Sequence, residues 1–207
     1  MSVVQAPPAR PAARPRLTAL VASRICHDLV GPLGAIANGL ELMSMSGETT
    51  PESELIAESV ASATARIRFF RVAYGISGAD QMTSRAEITS TLQAVSRGGR
   101  LSYEWEPPGD CRREEVRPVF LLLQCMETAL PMGGHVRVGR DGPAWVVAGE
   151  GAQMRVDEAL WRSLEPCGGP PPEAPALVHF ALLPDLLEEL GRPLALDLAP
   201  QRIVARF

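Results

Sequence analysis

The segment with the clearest chemical potential runs from Arg24 to Leu33 and reads RICHDLVGPL. Within it, His27 is followed directly by Asp28. An imidazole titrates near neutrality, so it is largely an uncharged nucleophile at pH 7. A neighbouring carboxylate can hold the proton on Nδ1, which fixes the tautomer and leaves Nε2 free to attack. The pair could therefore accept a phosphoryl group, because that reaction depends on in-line positioning and charge neutralisation.

A predicted amphipathic helix carries this pair. Its apolar residues recur three or four positions apart: Leu17, Val21, Ile25, Leu29, Leu33, Ile36, Leu40 and Met43. At about 100° per residue, His27 falls opposite the centre of this stripe and projects toward water, with Asp28 on the flank. The outer face also holds Leu20, Gly31, Gly34 and Asn38, and another protein could approach closely there.

Pro32 lies inside the same helix. It removes the donor for the carbonyl of Asp28 and should bend the helix one turn past His27, at ~3 kcal/mol in an ordinary helix interior. The nearby glycines are also poor helix formers. Departures from local rules are frequent at functional sites. The alternative is a surface histidine beside an aspartate with no special role.

A second helix should follow a short loop. It begins either with a Thr49–Glu52 capping box or at Thr50, just before Pro51, and continues to about Ile76. Its apolar residues alternate four- and three-residue spacings, as in a bundle seam: Ile56, Val60, Ala63, Ile67, Phe70 and Tyr74. A lone hairpin cannot bury both stripes completely, so we expect two copies to form a dimeric four-helix bundle.

The remaining chain predicts a mixed α/β sandwich. Helices are expected at residues 85–97, 114–130, 156–164 and 176–190, and strands at 101–105, 135–138, 144–148, 194–198 and 202–207. The expected fold class is therefore α+β. The predicted organisation is a disordered tail at 1–16, a helical hairpin at 17–79 and an α/β domain at 80–207.

Composition argues against several functions. The chain has 24 acidic and 20 basic residues, a net charge of -4, which disfavours binding to nucleic acid or to an anionic membrane. No apolar run reaches the ~18 residues that suggest a membrane span. Residues 1–16 lack a signal-peptide pattern, so we expect a cytoplasmic protein. Every basic residue is Arg, which excludes a P-loop lysine or a lysine Schiff base.

The thiols and imidazoles predict no metal site. The cysteines, which lack CxxC spacing, are Cys26, Cys111, Cys125 and Cys167. We expect reduced thiols that mostly fill the core. His135 and His179 are expected to be structural, and the three tryptophans to lie in the core: Trp105, Trp145 and Trp161.

The run from His27 to Leu33, HDLVGPL, resembles the H-box of sensor histidine kinases, with Val30 in place of the usual Arg. The hairpin is similar to their dimerisation and phosphoacceptor domain, and the rest to their ATP-binding domain. The longer stretch SRICHDLVGPLGAIANGLELM resembles histidine phosphotransferases of alphaproteobacterial cell-cycle relays more closely. This resemblance implies that His27 is the phosphoacceptor and Asp28 the assisting acid or base.

The second domain departs from the kinase pattern. Leu121 and Cys125 stand where the resemblance implies two asparagines, and a thiol is a poor ligand for Mg²⁺. Val147 replaces the aspartate of the adenine-binding Asp-x-Gly-x-Gly, whose glycines then read as turn residues. Prolines 170–172 stand near the expected glycine-rich lid. The domain should therefore keep the fold without binding ATP.

The resemblance implies a homodimer that relays a phosphoryl group between receiver domains of a hybrid kinase and of response regulators. No cofactor or metal is expected on this chain, and Mg²⁺ would be held by the receiver. The expected receiver-docking residues are Leu20, Arg24, Gly31, Pro32, Gly34 and Asn38. Three arginines on the second helix either meet an acidic receiver surface or form a solvated face: Arg66, Arg68 and Arg71.

Other functions stay open at this point. One is an ATP-dependent sensor histidine kinase with a divergent nucleotide site. Another is a non-catalytic dimeric pseudokinase that only binds receivers. A third, phosphatase action on receivers, would use the same face.

Overall fold

The computed structural model describes residues 13–47, 50–75, 80–97, 99–165, 169–170, 172 and 174–207. In the first helix, it describes the side chains of Ala22, Ile25, Cys26 and the residues from Leu29 onward. A long helical hairpin is followed by a five-stranded sheet with helices packed against it. The predicted α+β class is confirmed.

The hairpin consists of α1 (Ala13–Met45) and α2 (Pro51–Tyr74). Helix α1 begins before the predicted start at Leu17 and continues through Pro32. At the start of α2, Thr50 Oγ1 accepts a hydrogen bond from the Ser53 N–H at 3.2 Å, and Ser53 Oγ accepts one from the Thr50 N–H at 2.9 Å. This capping box identifies Thr50 as the N-cap; Thr49 lies outside the described residues.

The main sheet contains β2 (Leu101–Trp105), β4 (Gly134–Asp141), β5 (Ala144–Glu150), β6 (Ala195–Ala199) and β7 (Arg202–Arg206). Their spatial order is β2-β4-β5-β7-β6; β2 and β4 are parallel and the other neighbours antiparallel. Gly142, with φ of 58°, supplies the left-handed conformation in the predicted β4–β5 turn. Two very short strands, β1 (Met82–Thr83) and β3 (Cys111–Arg112), form a small separate sheet that the sequence did not predict.

Four α-helices and the short 3₁₀ helix Pro175–Leu177 complete the described part of the second domain. The α-helices are α3 (Arg85–Arg97), α4 (Arg113–Ala129), α5 (Glu158–Arg162) and α6 (Val178–Glu189). Helices α3 and α4 contact the sheet, and α6 packs on α4. The α5 helix is shorter than predicted, because Asp157 caps it and accepts a hydrogen bond from the Leu160 N–H. No helix in the described ranges is long and apolar enough to cross a membrane.

One hydrophobic core joins the second domain to the end of the hairpin. Phe69, Val72 and Ala73 of α2 are fully buried in the same cluster as Val116 and Phe120 of α4. The second half of α2 therefore belongs to both the hairpin and the core of the second domain. The prediction that the three tryptophans lie in the core is confirmed, as is burial of three free thiols: Cys26, Cys111 and Cys125.

Candidate functional site

The predicted phosphoacceptor segment lies in the middle of α1. The backbone from Arg24 to Leu33 is helical throughout. Four predicted site residues have side chains outside the described part: Leu20, Arg24, His27 and Asp28. The other four predicted docking residues are all exposed on α1: Gly31, Pro32, Gly34 and Asn38.

Contact between α1 and α2 sets the orientation of this helix. Cys26 is buried, and Leu33 and Leu40 are half-buried along the same line. His27 follows Cys26, so its position on α1 is turned by about 100° from this contact line. Burial raises the pKa of the Cys26 thiol, and the positive charge of Arg71 opposes part of that rise. Arg71 of α2 therefore lies near the helical turn that carries His27.

A second apolar line on α1 is about half exposed in the part of the chain that the structure describes. Ile25 is 54% exposed, Leu29 46%, Ile36 47% and Met43 42%. On α2, Ile56 is 48% exposed. These residues belong to the predicted stripes, so the hairpin buries each stripe only in part.

A groove of about 730 Å³ runs between α1 and α2. Its α1 wall includes Ala37, Glu41 and Met45. Glu41 and Met45 lie about four and five helical turns after His27 and within about 40° of it around α1, whereas Ala37 is turned by about 80° toward the line of contact with α2. The groove therefore lies between that contact line and the direction of the His27 position on α1.

The opposite wall of the groove was missed in the sequence. Ala57, Ala61, Thr64 and Arg68 of α2 form it, and Ala94 of α3 closes it on the side of the second domain. The repeated small residues at three- and four-residue spacing on α2 were the available signal. Two separate regions of the chain, the hairpin and α3, thus build one groove.

Arg66 does not extend into this groove as a free cation. Its Nη1 donates to both carboxylate oxygens of Glu127 on α4, at 2.8 and 3.0 Å, and the Tyr103 hydroxyl donates to the same carboxylate at 2.8 Å. Burial and the charge of Glu127 raise the pKa of Tyr103, so its phenol remains a donor. Arg71 contacts Glu87 of α3 at 3.3 Å, whereas the exposed Arg68 lines the groove.

Residues at the expected nucleotide positions lie within the core. Leu121, Cys125 and Val147 are almost completely buried. Burial raises the pKa of the Cys125 thiol well above its usual value, so this thiol stays protonated. Each of the three side chains is enclosed by other apolar groups of the same cluster.

The glycines that were predicted as turn residues have a different role. Gly149 is within β5, and a Cβ there would lie 2.9 Å from Met126 Sδ. Gly151 follows the strand, and a Cβ there would clash with Leu130. A side chain at either position would have to displace Met126 or Leu130, which pack closely against this part of the sheet.

The other two histidines have structural partners, as predicted. His135 Nδ1 lies 2.9 Å from Ser102 Oγ, and its Nε2 lies 3.3 Å from Glu104. His179 is buried next to the Thr128 hydroxyl, and burial lowers its pKa to about 4. In the described ranges, no three His, Cys, Asp or Glu residues are grouped as a metal site would require.

Comparison with known proteins identifies the class as histidine phosphotransferase. The family model for the histidine phosphotransferase C-terminal domain matches residues 85–202. Protein phosphotransferase ChpT of Brucella abortus (strain 2308) is 31% identical over 199 residues, which cover 91% of this chain and 93% of the relative. The chain belongs to this histidine phosphotransferase family, and it is a phosphotransferase of a phosphorelay.

A solved structure shares this fold. A bacterial phosphotransferase superposes with a TM-score of 0.67 at 24% identity, covering 97% of this chain and 98% of the other. The mycobacterial sensor histidine kinase MprB gives a TM-score of 0.42 at 16% identity, covering 61% of this chain and 93% of the other.

Proposed function

We propose that His27 is the phosphoacceptor through which this phosphotransferase relays a phosphoryl group between receiver domains of a hybrid kinase and of response regulators. The observation that carries this proposal is the position of His27 on α1, in the same direction as the exposed residues Gly31, Gly34 and Asn38. Membership of the histidine phosphotransferase family supports the same role.

The proposed reaction has two matched steps. Nε2 of His27 attacks the phosphorus of an aspartyl phosphate, an N–P bond forms, and the P–O bond to the receiver carboxylate breaks. The bonding electrons leave with that carboxylate, while Asp28 stabilises the proton on Nδ1 of the imidazole. In the second step, an aspartate of the next receiver attacks the phosphohistidine, and the imidazole is the leaving group. Mg²⁺ on the receiver neutralises charge in both steps.

We further propose that the receiver domain docks along the exposed face of α1 and the adjoining groove. Gly31, Gly34 and Asn38 present little side-chain bulk beside His27, so a partner backbone can come close. The groove offers apolar and small side chains, with a cation at Arg68 and a carboxylate at Glu41. The Leu20 and Arg24 positions on α1 would extend the same surface toward its N-terminal end.

A homodimer would cover the apolar line that a single hairpin exposes. Ile25, Leu29, Ile36 and Met43 of one copy would pack against the hairpin of a second in a four-helix bundle. This line lies away from the groove, because its members and the groove residues differ in their direction around α1. Dimerisation would therefore leave both His27 positions accessible in the cytoplasm.

We also propose that the second domain works without nucleotide. The side chains at the expected asparagine and aspartate positions are apolar or a protonated thiol, and all are buried. They offer no charged ligand for Mg²⁺ or hydrogen-bond acceptor for an adenine. This interpretation favours phosphotransfer over ATP-dependent autophosphorylation.

The test uses receiver domains phosphorylated with acetyl [32P]phosphate. Wild-type protein should acquire label, and His27→Ala should acquire none. His135→Ala is the matched control, because His135 is a partly exposed histidine on the second domain, and it should accept label normally. Label on His27→Ala would contradict the assignment.

A further inference from the structure

The polar cluster of Arg66, Tyr103 and Glu127 lies on the side of α3 away from the groove. With Val95 of α3, the three side chains line a small cavity of about 180 Å³. The neighbouring residue Ala94 lines the groove instead. The C-terminal half of α3 is therefore placed between the polar cluster and the groove.

The two halves of α3 are anchored differently. Ile88, Thr91 and Leu92 are buried in the core and hold the first part of the helix. After Leu92, Ala94 and Val95 are only half-buried. Val95 packs against the hydrophobic core and lines the same small cavity as the Arg66 side chain.

Arg66 is well placed to make that surface rigid. Two hydrogen bonds fix its guanidinium on Glu127, which the Tyr103 hydroxyl also holds. The guanidinium also lies 5.7 Å from the ring centroids of both Phe69 and Phe70. A paired guanidinium with fixed stacking partners keeps one orientation, whereas a free one would sample many.

We propose that Arg66, Glu127 and Tyr103 are positioning residues that fix α3 as the third wall of the receiver-docking groove. This inference rests on the proposed docking of a receiver in that groove. Disrupting the cluster lets the C-terminal half of α3 shift, so receiver binding weakens while the reactivity of His27 itself is unchanged. The second domain then has a function without nucleotide, because it supplies and orients part of the docking surface.

The test is a charge exchange between Arg66 and Glu127. Arg66 and Glu127 are both partly exposed, and partly exposed ion pairs contribute little to global stability, so the variants should fold. Arg66→Glu and Glu127→Arg should each raise the KM for a receiver domain phosphorylated with acetyl phosphate by about five-fold. The double variant should recover only part of the loss, because the ion pair returns while the Tyr103 hydroxyl loses its carboxylate acceptor and the phenyl rings lose the guanidinium.

Two further measurements separate an effect on the position of α3 from an effect on the reactivity of His27. Labelling of His27 by phosphoramidate, a small donor that needs no docking groove, should be the same in all variants. Hydrogen exchange should increase in residues 85–97 in the single variants and return part of the way to the wild-type rate in the double variant. Arg162→Gln, which breaks a remote exposed pair with Glu158, is the control and should change neither quantity.

An unchanged KM in both single variants would overturn the proposal. So would a double variant whose KM rises by the product of the two single effects, since the two residues would then act independently. Either result leaves the role of His27 intact. Receiver-dependent label on His27→Ala would instead overturn the proposed function, whatever the cluster variants show.

Discussion

The hydroxyl of Tyr74 on α2 donates a 2.6 Å hydrogen bond to Oε1 of Gln124 on α4. Gln124 is buried, and burial raises the pKa of Tyr74 to about 12, so the phenol is a donor across the physiological range. Nearby, Nη2 of Arg113 donates to the Arg71 carbonyl oxygen at 2.7 Å, near the end of α2. These bonds attach the helical hairpin to the second domain.

Tyr74→Phe tests this attachment. The variant leaves Gln124 Oε1 without the phenol donor, so the free energy of unfolding should fall by about 1–2 kcal/mol. Urea unfolding followed by tryptophan fluorescence measures the change. His27 labelling by phosphoramidate is the control and should be unaffected. A loss of stability below about 0.3 kcal/mol would mean that this bond contributes nothing net to the junction.

The pH dependence of stability should show the burial of His179. Its pKa is about 4 in the folded protein against an ordinary 6.5, so below pH 6.5 the unfolded chain takes up a proton first. Stability should therefore fall between pH 6.5 and 4, and this contribution should level off below pH 4. His179→Gln should flatten that part of the curve, measured as the urea midpoint against pH. A curve in His179→Gln as steep as that of the wild type would contradict this assignment.

Gly149 should be intolerant of a side chain. A Cβ at this position lies 2.9 Å from Met126 Sδ and 3.4 Å from Leu130 Cδ1, so Gly149→Ala should lose about 1–3 kcal/mol through overpacking. Gly109 is the matched control, because a Cβ there meets nothing within 4 Å. Gly109→Ala should change stability by less than about 0.5 kcal/mol. Similar losses in both variants would show that close packing by α4 is not the reason for Gly149.

Mg-ATP should not stabilise the protein. A nucleotide present at one hundred times its Kd would add about 2.7 kcal/mol to the unfolding free energy and raise the Tm. We expect no shift of the Tm in a thermal melt and no self-labelling from [γ-32P]ATP. A sensor histidine kinase with an intact asparagine box serves as the positive control. A rise of the Tm with self-labelling would establish a functional nucleotide site.

Most elements could be predicted from the sequence, because their hydrophobic patterns are long or because proline and glycine mark their ends. The stripe from Leu17 to Met43, the Pro51 start and the β4–β5 turn at Gly142 each have a local physical cause. The small sheet of β1 and β3 could not be predicted, because a strand of two residues is too short to show a hydrophobic period. The observed helix boundaries differ from the predicted ones where a capping residue sets the start of the helix, as Asp157 does for α5.

The site was predictable in part. Spacing around α1 was enough to predict the exposure of Gly31, Gly34 and Asn38, which the structure confirms. The groove was missed because one wall comes from Ala94, a residue of the second domain. The pairing of Arg66 was missed for the same reason: Glu127 is far away in sequence, and local charge patterns cannot reveal such a partner.

The most direct test of the relay is a two-receiver transfer. Protein labelled by one phosphorylated receiver is purified, its labelled residue is mapped by mass spectrometry, and a second, unlabelled receiver is added. We expect phosphate on His27 alone, followed by transfer to the second receiver as label leaves the phosphotransferase. Label on any other residue, or a second receiver labelled equally well through His27→Ala, would contradict the account.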